Sequence, residues 1–461
     1  MSTFLKLVIS AFLIFFCSFL TVYITGINKL SIQSEDTVPA MFIPVTLVKE
    51  GTLYADSYYQ TIRQKYPNPD DKSFIKDLTP FYFRKVGSHY ISAFPIITPL
   101  FALVIFSIPL LLGMTVNFAN LTILAHVSAA LIVSLSGGFF YLLLNNYLLK
   151  DKKMSVLLTG IYLFGTVNFA LLSQSLWQHG TLELLTILGL IFLNKSYSQS
   201  KNQLGQIFLT SFFLGFAILS RPTALLIVFY LSLIFIGKHF ERLKDLFNVK
   251  LLVYLLGFLP AILFFFAYNK LFYVSVANQG YADQLFSQWV FKFPEGFLGL
   301  WISPSKGLLI YSPVFIFSLV GLFLSFKRKI TSSNFEYIMY GCIVVVHTLV
   351  LGEWKQWYGG WSFGYRMASD IIPFLVLLLI PYIQSSLFAK TKKLFYLLAI
   401  VSVGIQFVGI VFFDGIWHAA YDRGFRDTSW LWSIKNSEFV FDLRRILVKS
   451  HLLKKACDQC S

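Results

Sequence analysis

Apolar runs of about twenty residues recur from one end of this chain to the other, and that recurrence leaves few folds open. The hydrocarbon core of a bilayer, about 30 Å thick, takes about twenty helical residues to cross. The chain has 461 residues, of which 56% are hydrophobic and only 13% charged, a balance that no soluble globule carries. The runs are continuous rather than alternating, which excludes a membrane β-barrel. The expected fold class is an all-α polytopic membrane protein. A net charge of +16 would suggest nucleic acid as the partner of a soluble domain. Here the excess is assigned to short basic loops on one membrane face, and no nucleic-acid partner is expected.

Phe4 to Gly26 reads as an uncleaved signal anchor, with Lys6 near its start and no small-residue cleavage site. A first outer loop is expected over residues 27–120, with turn chemistry at Pro67–Asp71. Its apolar stretch Ser92 to Gly113 carries Pro95, Pro99 and Pro109, and reads as a helix at the outer interface rather than a straight span. Ten further spans are expected near Leu121–Leu149, Met154–Leu176, Thr181–Leu193, Gly205–Leu219, Thr223–Ile236, Leu251–Phe272, Leu308–Phe326, Asn334–Leu351, Ile371–Leu387 and Leu394–Phe413. The clusters at Lys150/Lys152/Lys153, Lys195/Lys201, Lys238/Arg242/Lys244, Lys327/Arg328/Lys329 and Lys390/Lys392/Lys393 then fall on one side, which the positive-inside rule makes cytoplasmic. This predicts a cytoplasmic N-terminus, about eleven crossings, one membrane domain over residues 1–413 and a short extracytoplasmic tail over 414–461. Cys17 and Cys342 lie inside expected spans. Cys457 and Cys460 in the tail lack the partners of a zinc site, and whether they pair is left open.

The outer face collects the polar residues that chemistry could use. In Ser34-Glu35-Asp36-Thr37-Val38-Pro39 two carboxylates adjoin where the chain leaves the bilayer. They are either a solvated acidic loop, or a general base or metal ligand at the mouth of a membrane-embedded cavity. Arg221, between two short apolar runs, is either a snorkelling anchor or a phosphate clamp, since guanidinium matches phosphate oxygens bidentately. Lys306 puts a cation in the Ser303–Gly307 turn. Trp354, Trp357, Tyr358 and Trp361 surround Gly359-Gly360, with Glu353, Lys355, Arg366 and Asp370 among them. That exceeds an interfacial aromatic belt and suits a sugar or lipid-linked ligand. His179, after Trp177-Gln178 at the same face, reads from the sequence alone as structural rather than catalytic.

The pieces Asp36-Thr37-Val38-Pro39-Ala40, Leu176-Trp177-Gln178-His179-Gly180, Arg221-Pro222-Thr223, Ser303–Pro313 and Trp357–Arg366 occur in an order that resembles the GT-C superfamily of membrane glycosyltransferases. The likeness is to the bacterial branch related to protein O-mannosyltransferases and lipid A aminoarabinose transferases. The resemblance implies a polyprenyl-phosphate-linked sugar donor, a lipid, glycan or protein acceptor, and a catalytic acid in the first outer loop, here Asp36 with Glu35 beside it. Under the glycosyltransferase reading the expected donor-phosphate ligands are Arg221, Lys306, Arg366 and Lys85, and the expected substrate contacts are His179, Trp177, Trp354, Trp357, Tyr358 and Trp361. No cofactor is required, although a divalent metal on Glu35 and Asp36 is left open. The location implied is a bacterial or archaeal cytoplasmic membrane with the active site facing outside. Two departures stand: Arg84–Tyr90 replaces a Tyr-Pro-Pro-Gly-like stretch, and the chain reads as lacking the large C-terminal domain of several relatives. The competing readings are a transporter or flippase of lipid-linked sugars, which calls for internal repeats and midplane polar groups, and a polymerase or ligase of lipid-linked saccharides.

Overall fold

The computed structural model describes residues 1–26, 34–197, 202–240, 248–274, 280, 288–289, 293–327, 332–449 and 452. The chain opens with α1 (Thr3–Thr25). The first loop holds α2 (Val38–Glu50), α3 (Asp56–Lys65), the antiparallel hairpin β1 (Phe83–Val86) and β2 (His89–Ser92), and α4 (Ile97–Leu111). There follow α5 (Phe118–Leu143), α6 (Lys152–Phe164), α7 (Gln178–Ser196), α8 (Gln203–Ser220), α9 (Ala224–His239) and α10 (Val249–Phe272). Longer helices later in the chain cover Ser332–Gly352 and Ser386–Phe412.

Polar residues set where the helices start. Ser2, Asn117, Asp151 and Asn248 each accept a backbone N–H of the first turn of α1, α5, α6 and α10, meeting donors that would otherwise be orphaned. Between helices, apolar side chains gain little from lipid over protein, so close packing at small residues decides the contacts. A Cβ on Gly257 of α10 would collide with Ser211 Oγ and Phe208 O of α8, and one on Gly189 of α7 would meet Leu214.

Every expected span coincides with helical backbone, and seven helices among the described residues are long and apolar enough to cross a membrane. The protein is an integral membrane protein. The count of eleven is not established, because three expected spans are broken. Met154–Leu176 splits into α6 and a π-type turn at Asn168–Leu172; Leu308–Phe326 breaks before Pro313; Ile371–Leu387 breaks at Leu378. Backbone groups freed at such breaks must be met inside the protein. Ser312 Oγ donates to Gly165 O (2.8 Å), Gln406 Nε2 to Tyr311 O (3.0 Å) and Ser318 Oγ to Leu375 O (2.7 Å), while Ser402 Oγ accepts from Val314 N–H (3.3 Å). The proline-rich stretch 92–113 contains α4, about 22 Å long at 1.5 Å per residue. It packs on α2, with Thr98, Ala102 and Phe106 buried and Val104, Ile108 and Leu111 exposed.

Two polar ends result. Lys238 pairs with Glu336, and His239 Nε2 lies 2.9 Å from Ser196 Oγ, joining the C-terminal ends of α7 and α9 to the start of Ser332–Gly352. The other ends of these helices carry His179, Thr223 and His347. The 19 residues of α7 separate the two by about 28 Å.

The tail folds back on the core. Trp417, Trp430 and Leu431 are buried, Ser303 Oγ donates to Leu431 O (2.8 Å), and the helix Glu438–Lys449 is clipped by Arg445 to Asp414 at 2.7 and 2.5 Å. Cys457 and Cys460 lie outside the described residues. Burial first, then Glu438 one turn away, pushes the Asp442 carboxyl up to about 8, with Asp414 adding and Arg445 and Lys306 offsetting part. The unfolded group ionises near pH 4. Between about pH 4 and pH 8 the undocked tail therefore loses a proton that the docked tail keeps, and docking weakens as pH rises. Limited proteolysis of the tail should quicken from pH 5 to pH 8 in the wild type and show no such trend in Asp442→Asn.

Candidate active site

The polar end is organised around Asp370, a fully buried carboxylate. It accepts from His179 Nδ1 (2.6 Å), Thr223 Oγ1 (3.2 Å) and His347 Nε2 (3.3 Å), and forms an ion pair with Arg221 Nε at 3.1 Å. Arg221 Nη1 also donates to His179 Nε2 at 2.6 Å, so the imidazole bridges the guanidinium and the carboxylate in its Nδ1–H form. Local sequence places these groups. Arg221 precedes Pro222, which drives it into extended backbone (φ −153°, ψ 126°), ending α8 and turning the side chain from the helix path. His179 sits in the first turn of α7, whose N-terminus carries a partial positive charge.

The first outer loop closes over this cluster. Glu35–Thr37 forms a short turn in which Ser34 Oγ accepts from Asp36 N–H (3.3 Å) and Thr37 Oγ1 donates to Ser34 O (2.9 Å). Ser175 Oγ then donates to Thr37 Oγ1 (3.0 Å), stitching the turn to the segment before α7. Asp36 Oδ2 accepts from Arg366 Nη1 at 2.8 Å, across 330 residues of sequence. The Arg366 guanidinium lies over the Trp177 ring at 4.7 Å, a cation–π contact. Trp177 Nε1 is buried with no hydrogen-bond partner among the described residues. Glu35 is partly buried, and burial, then the Asp36 charge, raises its carboxyl above the ordinary range. Among the described residues no group of three His, Cys, Asp or Glu side chains could hold a metal ion.

The structure thus brings together Asp36, Arg366, Trp177, His179 and Arg221. Other expected residues lie elsewhere. Lys306 is fully buried and paired with Glu438. Lys85 is exposed on the hairpin above its cross-strand neighbour Tyr90. Trp357 and Tyr358 are buried because residues 430–432 cover them, and Trp354 packs on Trp289. The platform of four rings narrows to Trp361, 49% exposed, whose Nε1 donates to Asp422 (2.9 Å). Asp56 accepts from Tyr90 N–H (2.7 Å) and pairs with His89 (2.6 Å), so it serves the hairpin.

Sequence reasoning passed over His347, Ser175 and Ser369, whose Oγ lies 2.8 Å from His179 Nδ1, and named Thr223 and Asp370 without a part in this cluster. It also missed Glu183, one turn below His179, buried with Tyr162 Oη and Asn168 Nδ2 donating to it. An ionisable residue inside an apolar span was the available signal for His347 and Glu183. Beside Pro222 an apolar cavity of about 180 Å³ opens between Phe94–Ile97, Ile218–Leu219 and Phe264–Tyr268.

No protein-family model and no curated protein matches the sequence. Solved structures do match the fold. The crystal structure of ArnT from Cupriavidus metallidurans, bound to undecaprenyl phosphate, aligns with a TM-score of 0.51 at 13% identity, over 97% of this chain and 72% of that one. The chain shares its fold with that structure. Archaeoglobus fulgidus AglB, an archaeal oligosaccharyltransferase solved with an inhibitory peptide and a dolichol-phosphate, aligns at TM-score 0.47 and 13% identity. That match covers 91% of this chain and 58% of AglB, so the chain spans under two thirds of its length. In this fold the stretches around Asp36, Trp177, Arg221 and Arg366, far apart in sequence, converge on one end of the helix bundle.

Proposed function

We propose that this chain transfers a sugar from a polyprenyl-phosphate-type donor to a hydroxyl acceptor, with inversion, at the outer face of the membrane. The observation that carries the reading is Asp36 held by Arg366 at the mouth of a buried cluster, with Arg221 and an apolar cavity alongside. Lys195 and Lys238, in the last turns of α7 and α9 and so far from Asp370, support the outward orientation through the positive-inside rule. Residues 1–413 form the catalytic membrane domain.

In this reading the prenyl chain occupies the apolar cavity, and its phosphate meets Arg366, reached also by the Trp177 Nε1–H and the N-terminus of α7. Arg221 supplies positive charge from behind His179. The acceptor hydroxyl attacks the anomeric carbon from the face opposite the phosphate. Asp36 takes its proton, the new C–O bond forms, and the sugar–phosphate C–O bond breaks with its electron pair leaving on the phosphate. The two guanidiniums stabilise that charge as it develops. Trp361, exposed and fixed by Asp422, offers a ring face to the acceptor or sugar, and a lipid, glycan or protein would serve as acceptor.

Purified protein incubated with labelled polyprenyl-phosphate sugars should release polyprenyl phosphate and label an acceptor. Arg366→Ala should cost about 1.5–3 kcal/mol of donor use, roughly ten- to hundredfold in kcat/KM, the worth of a charge-assisted contact. Lysine there restores only part, since the fork geometry is lost. Passage of donor between leaflets without chemistry would replace this reading with a flippase.

A further inference from the structure

The loop that presents Arg366 has little shape of its own. Gly359, Gly360 and Gly364 hold φ of +83°, +63° and +64°, left-handed conformations that only glycine adopts without strain. The loop folds back on the arginine: a Cβ on Gly359 would stand 3.1 Å from Arg366 Cβ. What pins it comes from the tail. Glu438, fully buried, accepts from Gly364 N–H (3.1 Å) and Tyr311 Oη (3.0 Å) through one oxygen, and both its oxygens lie 3.1 Å from Lys306 Nζ. Lys306 Nζ in turn donates to Ser362 O and to His418 Nε2 (3.1 Å), with Trp417 at 5.3 Å. The pair therefore grips the loop at two points, four and two residues before Arg366. A buried ion pair is a poor source of stability, because desolvation offsets most of the attraction. Its two backbone contacts define geometry.

We infer that Glu438, acting through Lys306 and Gly364, is the positioning residue that sets Arg366 against Asp36 and Trp177. The tail beyond the last long apolar helix is then part of the active-site architecture. The inference rests on Arg366 being the donor-phosphate ligand proposed above.

A double-mutant cycle tests it, with polyprenyl phosphate in detergent micelles as the binding probe. Glu438→Gln should weaken binding about tenfold in the wild type and less than twofold in an Arg366→Ala background, because both changes act on one contact. Equal losses in the two backgrounds, or none in the wild type, would overturn it. Lys306→Met/Glu438→Gln, which removes both charges, covers the event that the single variant folds poorly and should show the same non-additivity. Hydrogen exchange, which needs no ligand, should rise at 359–366 in Glu438→Gln and stay unchanged around His179. Unchanged exchange at 359–366 also refutes the positioning. If the wild type binds no polyprenyl phosphate, the proposed function falls, while the exchange result still decides whether Glu438 sets the loop.

Discussion

Asp36→Asn should lower single-turnover sugar transfer by about two to four orders of magnitude without weakening donor binding. A neutral hydroxyl is a poor nucleophile until a base takes its proton, and Asn keeps the shape of Asp without the basicity. The ion pair with Arg366 sharpens the expectation. On the proposed reading the Asp36 carboxylate holds the guanidinium that the donor phosphate must take, so removing the charge at position 36 leaves Arg366 more available. The variant should bind donor as tightly as the wild type or more so, and still fail to turn it over. Glu35→Gln should do less, because it is Asp36 that pairs with Arg366. With Asp56 engaged by Tyr90 and His89, an Asp36→Asn enzyme of wild-type rate would move the base to Glu35.

The spans were legible because hydrocarbon thickness writes itself into run length. Phe4–Gly26 and Leu251–Phe272 differ by a residue or two from α1 and α10, whose ends carry polar caps or a left-handed glycine. The broken spans were less legible. Continuous hydropathy conceals a break whose freed carbonyl is met by a serine or glutamine from another helix, as Gly165 is by Ser312 and Tyr311 by Gln406. Such side chains look like ordinary polar residues of an apolar run.

The site divides in the same way. Asp36, Arg221 and Arg366 were visible as charges beside apolar runs, where burial is costly and a reason for the charge is needed. Their pairing was not: Arg221 goes to Asp370 and His179, while Arg366 goes to Asp36, and no local spacing encodes a contact over 330 residues. The aromatic stretch misled for a related reason. Trp357 and Tyr358 lie in a loop that reads as exposed, until Trp430 and Trp432 arrive from the tail to cover them. Glu438 was overlooked because it stands in a polar segment where an acidic residue draws no notice.

Asp370→Ala should cost about 3–5 kcal/mol of stability, the usual result of breaking a buried ion pair from one side. Among the described residues Asp370 is the carboxylate that pairs with Arg221, His179 and His347 and accepts from Thr223. Its loss leaves the Arg221 guanidinium mostly buried with only neutral partners beside it, and the His179 Nδ1–H without its acceptor carboxylate. Thermal unfolding in detergent should show a large downward shift. Adding Arg221→Met to that variant should recover part of the stability, because the uncompensated charge is gone, yet should not restore sugar transfer, because the positive charge behind the donor phosphate is gone too. Recovery of stability without activity separates the two roles of this cluster. If Asp370→Ala unfolds with the wild-type protein and transfers sugar at its rate, the cluster is neither a keystone of the fold nor part of the donor site, and Arg221 returns to the status of an interfacial anchor.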